Sequence, residues 1–327
     1  MCPHVTPFSS AALRLDPAAE TARIGESVRQ QVFKDLRRRG VVIGLSGGVD
    51  SSVTACLCAR ALGKDRVLGL LMPEGESCPE SVDLAQKVAG QLGISTSIED
   101  ITPVLEAAGC YRRRDEAIRL VIRDWGPGYR CKLVTRGIAD APGYTLFSIV
   151  IESPEGVQTK ARLNSDALLG IVAATNFKQR TRKMFEYHYA DRFQFAVAGT
   201  PNRLEHGLGF FVKNGDGAAD LKPIAHLYKS QVYQLAEYLG VPEEIRIRPP
   251  SSDTFPLPQT QEEFYFALPY EKMDLCLYGW DHGLPAEEIA EAVSLSAKQV
   301  QCMYDDIKAK QGFARYLHRQ PMLVESI

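Results

Sequence analysis

The sequence predicts an α/β fold: a doubly wound parallel sheet flanked by helices, with an inserted β-hairpin region and a helical C-terminal part. Three observations predict it. Short apolar runs rich in β-branched residues alternate with stretches of helical periodicity, the pattern of β-α-β units with right-handed crossovers. A glycine-rich turn, Ser46-Gly47-Gly48-Val49-Asp50-Ser51, joins the first of these runs to a helix. The last third of the chain, finally, reads as helix after helix.

Residues 1–16 look irregular, and residues 17–39 form a helix with Ile24, Val28, Val32, Phe33 and Leu36 on one face. Residues 41–45 suit a strand buried on both faces. A helix follows from Ser51, with Val53, Leu57, Cys58 and Leu62 at helical spacing. Residues 66–73 read as a second strand, 81–92 as a helix ending near Gly93, and 96–101 as a third strand. Ligands of such a sheet belong at the carboxyl ends of its strands.

Residues 103–170 break this rhythm. Tyr111 to Asp115 is a basic knot and 125–129 a turn, while 144–151 and 157–163 flank a Pro/Gly turn as a β-hairpin. Helix returns over 165–189, a buried strand spans 193–199, a helix covers 230–239, and 249–253 is loop. Helices over 287–293 and 297–310 enclose a tight turn. Asp305 and Asp306 sit on the second of them among few basic residues, which favours a packed helical hairpin over a DNA-reading pair.

A chain of 327 residues can bury a large core as a single domain, 1–327. Its 38 basic and 40 acidic residues leave a net charge of −2, which supplies no broad field for nucleic acid or a membrane surface. No apolar run approaches bilayer length, and no signal peptide is expected. The eight cysteines form no Cys-x-x-Cys pair and read as free thiols of a reducing, cytoplasmic compartment. Cys2 as an N-terminal glutaminase nucleophile is rejected, because about forty residues before the first strand are too few for such a domain.

The turn after the first strand carries the chemistry. Its glycines admit close backbone approach, and its amides with the following helix N-terminus make an anion site. The Gly-Lys-Ser/Thr ending of a Walker loop is absent. Asp50 stands where that lysine's charge is needed, so a phosphate there requires a cation between, of which Mg²⁺ is the natural choice. A second constellation follows the later strand. Residues 199–224 hold Thr200, the carboxylates Glu205, Asp216 and Asp220, the lysines Lys213 and Lys222, and five glycines. So many polar groups after a buried strand point to a site.

The Ser-Gly-Gly-x-Asp-Ser turn resembles the signature of the ATP-pyrophosphatase (PP-loop) family, whose fold is adenine nucleotide alpha hydrolase-like. Together with Gly199-Thr200, Glu205 and Lys213-Asn214-Gly215-Asp216-Gly217-Ala218-Ala219-Asp220, the chain resembles the ammonia-dependent NAD synthetases. Further matches are Leu227 to Val232, Gln259 to Glu263, Leu268 to Asp274, the helix Asn176 to Met184, and the tail His318-Arg319-Gln320-Pro321. They run over about 20–102 and 171–321; residues 103–170 are an insertion atypical of the family.

The resemblance implies ATP-dependent amidation of nicotinic acid adenine dinucleotide (deamido-NAD) with ammonia, through an adenylated carboxylate. It also implies a homodimer. It assigns Mg²⁺ to Asp50 and Glu205, and catalysis to Asp50, Lys229 and Ser251. ATP falls to Gly44, Ser46, Gly47, Gly48, Asp50, Ser51, Thr200, Lys229 and Ser251, and the dinucleotide to Arg180, Lys213, Asp220, His318 and Arg319. Ser251-Ser252-Asp253 replaces the family's Thr-Ala-Asp, keeping hydroxyl and acid.

Plainer readings stand beside these. Lys229 could be a surface lysine opening a helix, Arg180 and Arg182 could decorate a helix face, and Asp216 could cap its own turn. At the level of function, the alternatives are an ATP-dependent amide ligase for another carboxylic acid and a nucleotide-binding regulator without turnover. A tRNA-modifying enzyme lacks a basic, aromatic-studded face.

Overall fold

The computed structural model describes residues 8–135, 147–251, 254–266 and 268–325. The first half contains α1 (Pro17–Arg29), β1 (Val41–Gly44), α2 (Val49–Leu62), β2 (Val67–Leu71), α3 (Pro79–Leu92) and β3 (Ser95–Ile98). Then come α4 (Thr102–Ala107), α5 (Cys110–Arg119), β4 (Arg130–Thr135), β5 (Phe147–Glu152), β6 (Gln158–Arg162) and α6 (Ser165–Phe193). The remainder is β7 (Ala196–Val197), α7 (Arg203–Leu208), α8 (Lys229–Tyr238), α9 (Glu243–Arg246), α10 (Tyr270–Asp281), α11 (Ala286–Val293) and α12 (Ala297–His318).

The main sheet is parallel in the order β3-β2-β1-β7. Successive strands move outward from β1 to β3, and the chain then returns to place β7 on the other side of β1. The order therefore reverses between β1 and β7, which puts the ligand crevice at their carboxyl ends. The turn 45–48 and the loop from Ala198 onward both leave from that edge. β1 can sit in the middle because Val41, Val42 and Ile43 are all fully buried. Val41 and Ile43 pack with α1, α2 and α8, while Val42 faces Leu68, Leu70 and the end of α6. Each such side chain contributes roughly 1.5–3 kcal/mol on burial.

α1 starts where expected, since Asp16 accepts from the Ala18 and Ala19 amides at 3.0 and 3.1 Å and Pro17 opens the first turn. It does not run unbroken to residue 39. A wider π-helical turn over Gln30–Asp35 intervenes, and Arg37 reverses the chain at φ 52° to feed β1. Residues 10–13 are also more ordered than expected, a 3₁₀ turn that buries Leu13. The expectations placed on Cys2, Tyr144, Thr145, Leu146, Ser252 and Asp253 lie outside the described residues.

The largest departure lies between residues 103 and 170. The basic knot is a helix, α5, and the hairpin is two strands of a three-stranded antiparallel sheet in the order β4-β5-β6. β4 was not expected, although its charged-apolar alternation is that of a half-buried strand, with Cys131 and Leu133 fully buried and Arg130 exposed. The sheet packs through Cys131, Leu133, Ile149 and Ile151 on Ile118, Ala167 and Ile171 of α5 and α6.

α6, 29 residues and about 44 Å long, serves two layers. Its start, capped by Asn164, lies on the small sheet; its end lies on the parallel sheet. The helical C-terminal part closes around Met273, Leu277, Ile289, Val300 and Ile307.

Candidate active site

β1 ends at Gly44, where a side chain would press on Glu186 Oε1 and Met72 Cε at 3.1 and 3.3 Å. The chain then makes the tight turn that only Gly47, at φ 75°, permits. Hydroxyls staple the turn: Ser51 Oγ donates to the Gly48 carbonyl at 3.0 Å and lies 3.2 Å from Ser46 Oγ. Gly48 then opens α2 without a side-chain cap, so the first amides of a 14-residue helix are left for an anion.

Asp50 stands in that first turn and meets two partners from elsewhere. The Lys229 ammonium pairs with its Oδ2, and Asn202 Nδ2 donates to its Oδ1 at 3.0 Å. Asn202 also caps α7 in a reciprocal box with Glu205, each side chain accepting the other's amide at 3.2 Å. Gln261 Nε2 donates to Glu205 Oε1 at 3.0 Å. Lys229 opens α8 and is 2% exposed, which removes the surface-lysine reading. Asp274 of α10 holds it there by accepting the Lys229 and Ser230 amides at 3.1 and 2.6 Å.

The electrostatics follow from burial. Desolvation, then the nearby Asp50 charge, pushes the Glu205 carboxyl up to about 7. Burial alone would lower the Lys229 ammonium, but Asp50 and Glu205 outweigh it and raise it to about 12. Lys229 is thus charged at neutral pH and cannot act as a base. Two carboxylates against one ammonium leave an excess of negative charge, most strained at Glu205. Among the described residues no third acidic, histidine or cysteine ligand joins them. A hard divalent cation fits this donor set, since its shell can be completed by water and phosphate oxygens.

The cluster lines a cavity of about 740 Å³, a size that suits a nucleotide-scale ligand. Gly44, Ser46, Gly48, Asp50, Ser51, Thr200, Glu205, Lys229 and Ser251 all lie on its wall. Gly47 shapes the turn from behind. The end of β2, Leu70 to Pro73, gives an apolar flank, and Phe210, Phe211, Tyr265 and Phe313 another. Arg182 and Arg248 are on the wall as well, Arg182 Nε donating to the Met72 carbonyl at 3.3 Å. Asp216 reconciles two readings: it accepts the Val212 amide at 2.7 Å, capping its own turn, and it faces the cavity.

The five residues assigned to the dinucleotide are not on that wall. Arg180 Nε donates to the Lys213 carbonyl at 3.3 Å, and Lys213 Nζ donates to the Tyr316 and Arg319 carbonyls at 3.1 and 3.4 Å. His318 Nε2 lies 2.8 Å from the His206 carbonyl. These four gather where α6, the loop after α7 and the C-terminal tail meet. Asp220 stands apart, accepting the Val197 amide at 2.7 Å beside Tyr187. Asn202, Gln261 and Asp274 are the site residues without an assigned role in the sequence reading. Only Asn202 carries a local signal, the capping spacing to Glu205.

Behind the cavity lies a buried ionic network. Lys178, 1% exposed, pairs with Glu74 and Glu76 at 2.8 Å each and donates to the Thr254 carbonyl at 2.9 Å. Arg114 of the basic knot grips Glu76 at 2.6 Å, and Tyr111 donates to Glu74 at 2.5 Å. Helix α5, which the sequence reading placed in an insertion but which lies inside the family match reported below, is therefore tied to the ligand edge of the main sheet through charge.

The NAD synthase family model matches residues 20–122 and 148–316. The NH(3)-dependent NAD(+) synthetase of Mesorhizobium japonicum is 58% identical over 311 residues, 95% of this chain and 98% of its own. That of Rhizobium meliloti is 55% identical over 320 residues, 98% and 96% of the two chains. Among solved structures, NMN synthetase from Francisella tularensis superposes with a TM-score of 0.66 at 22% identity, over 95% of this chain and 99% of its own. NH3-dependent NAD synthetase from Campylobacter jejuni gives 0.62 at 23%, over 95% and 100%. These two structures agree with the doubly wound sheet, and the sequence matches extend over the turn, the Thr200–Asp220 stretch and the lysine helix alike: the chain belongs to the NAD synthase family.

Proposed function

We propose that this chain is an ammonia-dependent NAD synthetase, which amidates deamido-NAD at the expense of ATP and releases AMP and pyrophosphate. The observation that carries the reading is the buried Lys229–Asp50–Glu205 cluster beside the open amides of α2. The near-full-length synthetase relatives support it.

The amides after Gly48 hold phosphate oxygens, and Thr200 and Ser251 add hydroxyls from the cavity wall. The nicotinate carboxylate attacks the α-phosphorus, and the bond to the β-phosphate bridging oxygen breaks. Lys229, charged throughout, neutralises the departing pyrophosphate. Ammonia then attacks the acyl carbon, AMP leaves, and the surplus proton passes to solvent. Asp50 and Glu205 would hold Mg²⁺, which supplies charge neutralisation on the phosphates. Asp50 keeps Lys229 in place, and Gln261 and Asn202 orient the two acids. Arg180, Lys213, Asp220, His318 and Arg319 are assigned to the dinucleotide by resemblance. The four that gather beside the C-terminal tail, outside the cavity wall, would meet its far end, while Asp220 stands apart.

Cytoplasmic location fits the buried thiols Cys56, Cys58, Cys110, Cys131 and Cys276. Among the described residues no helix is long and apolar enough to cross a membrane. The homodimer of the family is our assignment of assembly, tested by sedimentation velocity at micromolar protein. Leu133, Thr135 and Phe147 line the cavity from residues that the family model leaves out but the near-full-length synthetase relatives extend over, and a ligase for a related acid is kept as second reading. One assay separates the readings. Protein with ATP, Mg²⁺, ammonium and deamido-NAD should yield AMP and NAD in equal amounts; turnover only with another pyridine nucleotide acid would establish the alternative.

A further inference from the structure

We propose that β4 is a clamp: a positioning strand that holds the segment 254–263 as a wall of the ATP site. The inference rests on the reading that this cavity binds ATP, and it assigns work to a strand that the family match leaves out. The segment it holds lies inside that match, and the relatives that align over 98% of this chain extend across β4 as well.

The fastening is dense. Arg130 donates to the Pro256 carbonyl at 2.7 Å, and Lys132 donates to the Pro258 carbonyl at 3.1 Å and pairs with Glu263 at 2.9 Å. The Leu257 amide donates to the Cys131 carbonyl at 3.2 Å, Gln259 Nε2 donates to the Leu133 carbonyl, and Thr135 Oγ1 donates to the Glu263 carbonyl at 3.3 Å. Pro256 and Pro258 have no amide to give, so two positions of the segment depend on donors reaching their carbonyls from outside. From its other side the same segment serves the site. Thr260 bridges Ser251, and Gln261 reaches Glu205 at 3.0 Å. Released from β4, the segment would have to be ordered anew each time nucleotide binds, which weakens binding.

The test is the double variant Arg130→Ser/Lys132→Ser. Both side chains lie on the outer face of β4, while the fully buried Cys131 and Leu133 beneath them are kept. Calorimetry with Mg²⁺ and ATP alone should show a Kd about tenfold higher than wild type, whichever acid the enzyme amidates. In the steady state KM for ATP should rise about tenfold, while KM for the acid stays within twofold. Lys132→Arg should behave as wild type. An unchanged ATP Kd would overturn the inference. So would a lower kcat with both KM values intact, since a weakened fold reduces the active fraction alone. Wild-type protein that binds ATP yet amidates nothing would sink the functional reading and leave the calorimetric test standing.

Discussion

Replacing Glu205 by glutamine should stabilise the ligand-free protein while disabling it. The folded Glu205 carboxyl is raised from 4.5 to about 7 by burial and by Asp50. A raised acid contributes full stability below its unfolded value and loses it as pH climbs through the folded value. Wild type should therefore hold its stability at pH 4.5 and decline through pH 7. By pH 8 the deficit is about 2.5 pH units at about 1.4 kcal/mol each, or about 3.5 kcal/mol. With about 2.1 cal/mol/K of unfolding entropy per residue over 327 residues, that is about 5 °C in Tm. Glu205→Gln keeps the side-chain volume and an acceptor for Gln261 and carries no charge; it gives up the acceptor that Oε2 offers the Asn202 amide, a loss independent of pH. Thermal unfolding from pH 5 to 9, without nucleotide or metal, should show the Tm of the variant rising by about 4 °C relative to wild type between pH 5 and pH 8. Adding Mg²⁺ and ATP should reverse the order, since the variant has lost a cation ligand. A Tm difference between the two proteins that stays constant from pH 5 to pH 8 would refute the account of Glu205 as an acid held under charge strain.

Two further predictions concern the frame of the site. Lys178→Met leaves Glu74, whose side chain is 0% exposed, without its ammonium. Breaking a buried pair costs about 3–5 kcal/mol, so urea unfolding should show a loss in that range; under 1 kcal/mol would contradict the network's importance. Gly47→Ala forces a side chain onto a residue at φ 75° and into the Ser81 carbonyl. It should raise KM for ATP at least tenfold with a stability loss of about 1–3 kcal/mol, and an unchanged KM would remove the turn from the nucleotide site.

The parallel sheet was legible because burial on both faces forces apolar, β-branched runs such as 41–45, and such runs are visible locally. The turn at Ser46 to Ser51 was legible for the same reason, since its glycines answer to local backbone geometry. The roles proposed for Glu205 and Lys229 come from motif resemblance, and the fold brings both beside Asp50, but their neighbours were not legible. Nothing near Asp274 in sequence says that it caps the helix of Lys229, 45 residues away. Likewise the charges at 111–115 read only as a basic knot, because ion pairing is a long-range choice. Arg114 is buried only because Glu76, 38 residues earlier, meets it. β4 is a different case: its alternation was present in the sequence, and the neighbouring turn and charges masked it. The dinucleotide residues show the reach of motif transfer, which named them as a set although the fold places Asp220 away from the other four.

The central claim is that Asp50 and Glu205, gathered around Lys229, form the centre at which ATP is cleaved. The most direct measurement follows label from α-phosphate-labelled ATP into AMP, with Mg²⁺, deamido-NAD and ammonium, for wild type and Asp50→Ala. The arrangement predicts that the variant loses at least a hundredfold in the rate of AMP formation while staying folded by circular dichroism. A folded variant that cleaves ATP at the wild-type rate would contradict it.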